Sequence, residues 1–191
     1  MNDHVTRRFF LGGALALPLV EAWPRRAVAQ ATPACSGEKP TRPETEGPYF
    51  KPRSPERHSL LEPGIEGRRL ILTGSVITTA CRHVARALLD FWHADPAGQY
   101  DNAGFRLRGH QYTDADGRYR LETVVPGLYA GRTRHLHVKV QIPGGPVLTS
   151  QLYFPDQPAN ARDWLFRREL LMTVTGGTDP LRTQFDFVMS G

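Results

Sequence analysis

The 191-residue sequence predicts an all-β protein, namely an antiparallel β-sandwich with long loops and one short helix. Short apolar and β-branched runs recur along the chain, and turn residues such as Asp-Pro-Ala-Gly and Pro-Gly separate them. Helical periodicity is confined to a single segment. The composition, with 40% hydrophobic and 23% charged residues, is that of one globular domain.

The first 29 residues have the features of an export signal and lie outside the predicted fold. Residues 6–11 place two arginines before a short apolar stretch, and residues 27–29 supply small side chains for cleavage. Pro18 and Glu21 interrupt the stretch, which is too short for a convincing membrane span. We therefore expect a twin-arginine signal peptide over residues 1–29 and a periplasmic or secreted protein. An uncleaved anchor is the alternative.

The charge balance argues against a nucleic-acid partner. The formal net charge of the whole sequence is +5, and removal of residues 1–29 takes away four arginines and two acidic residues, which leaves +3. The mature part contains no basic run with interleaved aromatic residues. We expect neither nucleic acid nor, after signal cleavage, a membrane among the partners.

A proline-rich arm is predicted over residues 30–68, ahead of a sandwich domain over residues 69–191. The arm has too many prolines for a helix or a central strand, so it must wrap around the sandwich. Cys35 and Cys81 are the two cysteines of the sequence. In an oxidising compartment an even count favours a disulfide, which would stabilise the fold by about 4 kcal/mol in the entropic model. Two unpaired thiols are the alternative.

The strands and the helix are predicted from residue type and from the turns between them. Apolar and β-branched runs bounded by turn residues predict strands over 69–79, 86–93, 118–124, 135–142, 147–154 and 184–189. Residues 114–117 form a hairpin turn before the third of these strands. The predicted helix spans residues 159–172.

The strand over 135–142 has the most informative pattern. Its even positions are apolar and its odd positions polar, in the order His135, Leu136, His137, Val138, Lys139, Val140, Gln141 and Ile142. This alternation predicts one core face and one solvated polar face. Side chains two positions apart point the same way, so His135 and His137 project side by side. Two such imidazoles can hold a metal ion, and two solvated histidines without function are the alternative.

Tyr100 and Tyr129 bear on the type of metal. Each follows a turn that contains glycine, and loop side chains of this kind can converge on a site. A phenol with a pKa near 10 binds a cation well as phenolate, which requires a hard, highly charged ion such as ferric iron. Zinc prefers cysteine, histidine or carboxylate. Packing roles for both tyrosines, and a copper or zinc site on His135 and His137, are the alternatives.

Several segments together resemble one known family. The sequences ETEGPYF (44–50), FWHADPAGQYD (91–101), LRGHQYTDADGRYRLETVVPGLY (107–129), GRTRHLHVKV (131–140) and SQLYFPD (150–156) are similar, in this order, to the intradiol ring-cleavage dioxygenases. That family comprises non-haem ferric enzymes that open catechols between the two hydroxyls. The resemblance implies an oxidoreductase with an Fe(3+) cofactor, a catechol-type substrate and O2 as partners, and a muconate-type diacid as the product.

The resemblance also implies roles for individual residues. The four protein ligands to iron correspond to Tyr100, Tyr129, His135 and His137. Arg132 corresponds to the nearby cation that stabilises negative charge on the substrate, a place in the motif that Arg134 does not fit. Tyr129 is the ligand that the catechol displaces, and its freed phenolate takes a substrate proton. Gln151 assists the orientation of the substrate.

Residues next to these motifs are assigned structural roles. We expect Phe91 and Trp92 in the core, and His93 and His110 at the surface or behind the ligands. The aromatic pair at 49–50 either lines the pocket mouth or packs on the sandwich.

A different class of function is left open by the sequence. The alternative is a non-catalytic sandwich that binds a sugar, a lipid or a protein and retains the metal-site motif. Which catechol fits, and whether the chain forms a homo-oligomer, are also open.

Overall fold

The computed structural model describes residues 37–190. The signal peptide predicted over residues 1–29 lies outside the described residues, so it stays a prediction. Cys81 is disulfide-bonded, and its predicted partner Cys35 lies outside the described residues. Within residues 37–190, no helix is long and apolar enough to cross a membrane.

Two β-sheets pack face to face, which confirms the predicted sandwich. The strands of the described residues are β1 (Arg69–Thr78), β2 (Leu88–Trp92), β3 (Arg108–Tyr112), β4 (Arg118–Val124), β5 (His135–Gln141), β6 (Val147–Tyr153), β7 (Thr173–Gly176), β8 (Leu181–Gln184) and β9 (Phe187–Met189). The first sheet has the order β4-β1-β8-β7, with β9 also paired to β1, and the second has the order β3-β2-β5-β6. The second sheet is antiparallel throughout, whereas β1 pairs in parallel with β8 and β9.

The core lies between the sheets and follows the alternation of the sequence. Leu70 and Leu72 of β1 face Leu136, Val138 and Val140 of β5, and all five side chains are fully buried. Complete burial of each such side chain contributes about 1.5 to 3 kcal/mol. The core face predicted for the histidine strand is therefore correct.

The other face of β5 is covered at its start, which corrects the expectation of a solvated polar face. His135 and His137 are each only 4% exposed. The indole ring of Trp92 stacks on the His137 ring, with centroids 4.9 Å apart. A Cβ placed on Gly47 of the arm would lie 3.4 Å from Cε1 of His137. The arm therefore lies against His137 at a residue without a side chain.

The arm residues from 37 onwards are fastened to the sandwich by hydrogen bonds rather than by a continuous strand. These bonds join Thr41 N to Val188 O (2.9 Å), Glu44 N to Thr149 O (2.9 Å), Arg57 N to His110 O (2.8 Å) and Lys51 Nζ to Gly104 O (2.7 Å). Prolines are compatible with this arrangement because the arm needs few of its own N–H groups for pairing.

The helix predicted over 159–172 does not form. That segment contains two 3-10 helices, Pro158–Ala161 and Arg168–Leu170, and no α-helix occurs in residues 37–190. The reason is the carboxylate of Asp163, which accepts the N–H of Leu165 at 3.0 Å and the N–H of Thr133 at 2.9 Å. A side chain that binds nearby N–H groups competes with the hydrogen bonds of a helix.

The strand pattern also differs from the prediction at three places. β3, β7 and all but the last residue of β8 are absent from the sequence-based prediction, and the strand predicted over 184–189 is represented mainly by β9. In β3, Arg108, Gly109 and His110 provide no β-branched residue, so the usual strand signal is missing. β3 forms as the antiparallel partner of β2.

Candidate active site

Two loops and the start of β5 bring the predicted ligands together on the outer face of the second sheet. Tyr100 lies in the loop between β2 and β3, and Tyr129 lies in the loop between β4 and β5. The two loops touch at Gly98, which has a φ of +84° and whose Cβ would lie 2.0 Å from the carbonyl oxygen of Leu128. A left-handed conformation at such close backbone contact requires glycine. This contact fixes the separation of the two tyrosine loops.

The donor atoms of three predicted ligands converge. Nε2 of His135 lies 3.2 Å from Nε2 of His137 and 3.4 Å from Oη of Tyr100. The ring of Tyr129 is perpendicular to that of Tyr100, with centroids 5.4 Å apart. Its hydroxyl lies 2.6 Å from Oη of Tyr49. The structure thus groups all four residues, with Tyr129 hydrogen-bonded to the arm.

Burial keeps both histidines neutral. It lowers the pKa of His135 to about 4 and the pKa of His137 well below its usual value. Nδ1 of His135 lies 2.7 Å from the carbonyl oxygen of Thr133. A carbonyl accepts, so we assign the proton to Nδ1, and Nε2 then presents a lone pair to the centre. Neutral imidazoles with inward lone pairs are the form that binds a metal ion.

The phenols need a cation to ionise. Burial raises the pKa of Tyr100, and the hydrogen bond to Tyr49 raises the pKa of Tyr129. Phenolate ligation therefore requires an ion of high charge, which offsets the cost of a buried anion.

Two imidazoles and two phenols are the donor set at this centre. Residues 37–190 contain no group of three or more His, Cys, Asp or Glu side chains that could hold a metal. This histidine and tyrosine cluster is therefore the candidate centre, and its donors fit a hard, highly charged cation.

Arg132 lies beside this cluster, as the motif predicts, and Arg134 does not. Nη2 of Arg132 donates to Oε1 of Gln151 at 2.7 Å. Gln151 is the register partner of His137 on the neighbouring strand, and its Nε2 donates to the carbonyl of Thr45 at 2.9 Å. Arg134 instead donates to the carbonyl of Pro126.

Sequence reasoning missed Arg108, which holds several parts of the site. This arginine is only 2% exposed, and its guanidinium lies 6.0 Å from the centroid of the Tyr100 ring. It donates to the carbonyl of Tyr49 at 2.5 Å and to that of Asp101 at 3.0 Å. Nothing in the local pattern marks it, because a buried arginine in a polar strand has the same sequence signature as an exposed one.

Phe91 and Trp92, at the end of β2, and His93, just after it, are all buried. Phe91 and Trp92 are both buried as expected, Phe91 in the main core cluster and Trp92 against His137 of the candidate site. His93 is not at the surface; it is buried behind the ligands, where it bonds the Ala94 carbonyl and the Thr123 hydroxyl, each at 2.7 Å.

Comparison with known proteins identifies the family. A family model described as Dioxygenase matches residues 45–191. The chain belongs to the intradiol ring-cleavage dioxygenase family. It is 31% identical over 155 residues to a protocatechuate 3,4-dioxygenase beta chain from Burkholderia cepacia, an alignment that covers 65% of this chain and 66% of that protein. It is 29% identical over 147 residues to catechol 1,2-dioxygenase 2 from Acinetobacter lwoffii, covering 63% of this chain and 54% of that protein. This intradiol dioxygenase homologue thus spans about half to two thirds of these curated relatives.

Solved structures agree with the family assignment. The intradiol family fold of this chain matches the dioxygenase domain of a dioxygenase and carbohydrate-binding protein fusion from Streptomyces sp. SirexAA-E, with 53% identity and a TM-score of 0.77. That match covers 80% of this chain and 99% of the other. A 3-chlorocatechol 1,2-dioxygenase from Rhodococcus opacus 1CP matches with 29% identity and a TM-score of 0.72, covering 78% and 72% of the two chains.

Proposed function

We propose that this protein is a ferric dioxygenase that opens the ring of a catechol-type substrate between its two hydroxyls, with O2 as second substrate and a muconate-type diacid as product. The observation that carries the proposal is that Tyr100 Oη and His137 Nε2 each lie within 3.4 Å of His135 Nε2, with Tyr129 alongside. Relatives named catechol, chlorocatechol and protocatechuate dioxygenases support the substrate class.

Four side chains of this cluster would hold Fe(3+), namely Tyr100, Tyr129, His135 and His137. When bound, the ion supplies Lewis acidity that draws electron density from a catechol and prepares its ring for O2. Trp92 and Gly47 lie against the His137 ring and exclude water from that side of the cluster.

Tyr129 and Arg132 have the contacts that their proposed roles require. The Tyr129 hydroxyl has a partner in Tyr49 at 2.6 Å, and this hydrogen bond would hold the Tyr129 oxygen while, as phenolate, it accepts a proton from the catechol and becomes the neutral phenol. Arg132 carries a fixed positive charge next to Gln151 and stabilises negative charge on the substrate. Gln151, which is fully buried, orients that charge.

The visible spectrum of the iron-loaded protein tests this proposal. We expect a broad tyrosinate-to-iron absorption band that moves to longer wavelength when catechol is added without oxygen. Admission of oxygen should then consume one O2 per catechol and release the diacid. A colourless protein with a full complement of iron and no response to catechol would favour a non-catalytic binding module instead.

A pair of variants tests whether Tyr100 is an iron ligand, with the same absorption band and the iron content as readouts. Tyr100→Phe should lose the band and most of the iron, because it removes one phenolate. The matched control is Tyr112→Phe, which makes the same change at a tyrosine of β3 that is 36% exposed. Equal iron content and equal absorbance in the two variants would remove Tyr100 from the ligand set.

We also propose that the twin-arginine segment of residues 1–29 exports the protein. The paired arginines Arg7 and Arg8 support this assignment. Cell fractionation of a producing strain, with Arg7→Lys and Arg8→Lys together as the blocked control, measures it. Equal distribution of the two forms between compartments would reject the export proposal.

A further inference from the structure

The carboxylate of Asp163 is buried in a set of four close hydrogen-bond contacts. Its side chain is 0% exposed. Oδ2 lies 2.8 Å and Oδ1 3.0 Å from Nε of Arg132. The same oxygens accept the backbone N–H groups of Thr133, at 2.9 Å, and Leu165, at 3.0 Å. The carboxylate therefore cannot rotate without breaking bonds to the backbone on both sides.

Two of the three guanidinium nitrogens of Arg132 donate hydrogen bonds within the protein. Nε donates to Asp163, while Nη2 donates to Gln151 at 2.7 Å and lies 3.4 Å from the Tyr153 hydroxyl. Nη1 makes no hydrogen bond with any of residues 37–190. The guanidinium is planar and rigid, so fixing Nε and Nη2 also fixes the direction of the Nη1 donors.

Arg132 lies next to the candidate site. Gln151 is paired with His137 across β5 and β6, so its amide sits on the strand next to the histidine cluster. Arg132 N also donates to the carbonyl of Tyr129 at 2.7 Å, which places the arginine directly beside the second tyrosine. Arg132 therefore contacts Tyr129 directly, is linked through Gln151 to the strand beside His137, and is held by Asp163.

We infer that Asp163 is a positioning residue, which orients Arg132 so that Nη1 is the donor presented to the substrate. This inference rests on the proposed function and adds to it the residue that sets the orientation and the atom that makes the contact. An asparagine at position 163 would turn one acceptor oxygen into an NH2 donor that faces other donors. Arg132 would then lose its fixed orientation while its charge remained.

A double-mutant cycle tests whether Asp163 acts through Arg132. Displacement of a catalytic group by about 1 Å can cost 100-fold, so we expect Asp163→Asn to lower kcat/KM for catechol by about 10- to 100-fold. In an Arg132→Ala background the same substitution should cause no further loss. The iron content and the tyrosinate band should be unchanged in Asp163→Asn. An additive loss in the double variant would overturn the inference.

Two further variants protect the test against misfolding. Asp156→Asn is the matched control: Asp156 is exposed and has a φ of +56°, a conformation that asparagine tolerates, so wild-type kinetics are expected. Arg132→Lys leaves Asp163 and its backbone bonds intact, keeps the charge and removes the oriented fork. It should lose about as much kcat/KM as Asp163→Asn, and wild-type kinetics in Arg132→Lys would reject positioning by the guanidinium.

A second readout does not depend on activity. In the metal-free protein, the Nε–H of Arg132 should give a resolved and slowly exchanging signal in a 1H–15N spectrum, because a buried carboxylate holds it. We expect Asp163→Asn to lose that signal and Asp156→Asn to keep it. If wild-type protein cleaves no catechol, the proposed function fails while this spectrum still reports on Arg132. If wild-type protein cleaves catechol but the signal persists in Asp163→Asn, the inference alone fails.

Discussion

Replacing Gly98 by alanine tests whether the contact between the two tyrosine loops builds the site. The new Cβ would lie 2.0 Å from the carbonyl oxygen of Leu128, and ordinary contact begins at 3.4 Å, so the loops must separate by the difference, 1.4 Å. A left-handed alanine costs about 1 to 2 kcal/mol, and a forced backbone shift in a packed region costs about 1 to 3 kcal/mol more. We expect the free energy of unfolding to fall by about 2 to 5 kcal/mol.

Gly144→Ala provides the matched control for this prediction. Gly144 has a φ of +71° and nothing within 4 Å of its Cβ position, so this variant should lose only the conformational part, about 1 to 2 kcal/mol. Urea unfolding of the metal-free proteins measures both losses. Iron content and the tyrosinate band should fall in Gly98→Ala and stay unchanged in Gly144→Ala. Equal destabilisation of the two variants, or a wild-type band in Gly98→Ala, would refute the reasoning.

Three further predictions concern single contacts. Burial lowers the pKa of His93 from 6.5 to about 4, so its neutral form stabilises the fold above pH 6.5 and this contribution is lost as the pH falls towards 4. His93→Gln should remove that dependence, about 3 kcal/mol, and an unchanged slope of unfolding free energy against pH would contradict it. Arg108→Met leaves the carbonyls of Tyr49 and Asp101 without their buried donor and should cost about 3 kcal/mol in urea unfolding; a loss below about 0.5 kcal/mol, the size of an ordinary surface substitution, would show that other donors replace it. Tyr49→Phe removes the hydrogen bond that raises the pKa of Tyr129, so ultraviolet titration of the metal-free protein should show that pKa lowered, and an identical titration would disprove the coupling.

The sandwich could be predicted because the apolar alternation of its core strands is visible within each short segment of sequence. The alternation of Leu136, Val138 and Val140 identifies the buried face of β5, and the observed side chains follow it. β3 could not be predicted in the same way, because its residues become a strand only through pairing with β2. The parallel pairing of β1 with β8 depends on residues more than 100 positions apart, beyond the reach of any local pattern.

The candidate site was likewise predictable only where the signal is local to one strand. The side-by-side placement of His135 and His137 follows from the period of a strand, whereas the choice of Tyr100 and Tyr129 came from the family motifs. The burial of His135 and His137 could not be predicted from β5 alone, since the arm that lies against His137 has no periodic pattern. Asp163 was missed because it lies 31 residues after Arg132, in a segment whose composition favours a helix. The carboxylate that binds the arginine also accepts the N–H of Leu165, a bond that competes with that helix.

The fastening of the arm has a consequence for the order in which the fold is completed. Thr41 makes two hydrogen bonds with Val188, a residue 147 positions later. The N–H of Thr41 donates to the carbonyl of Val188, and the N–H of Val188 donates to the hydroxyl of Thr41. One anchor of the arm therefore lies on β9, which emerges from the ribosome after every other strand described here. A nascent chain can form most of both sheets, and the bond from Glu44 to Thr149 of β6, before this anchor exists. The arm can therefore settle near His137 first, and its outer end is fastened only after synthesis passes residue 188.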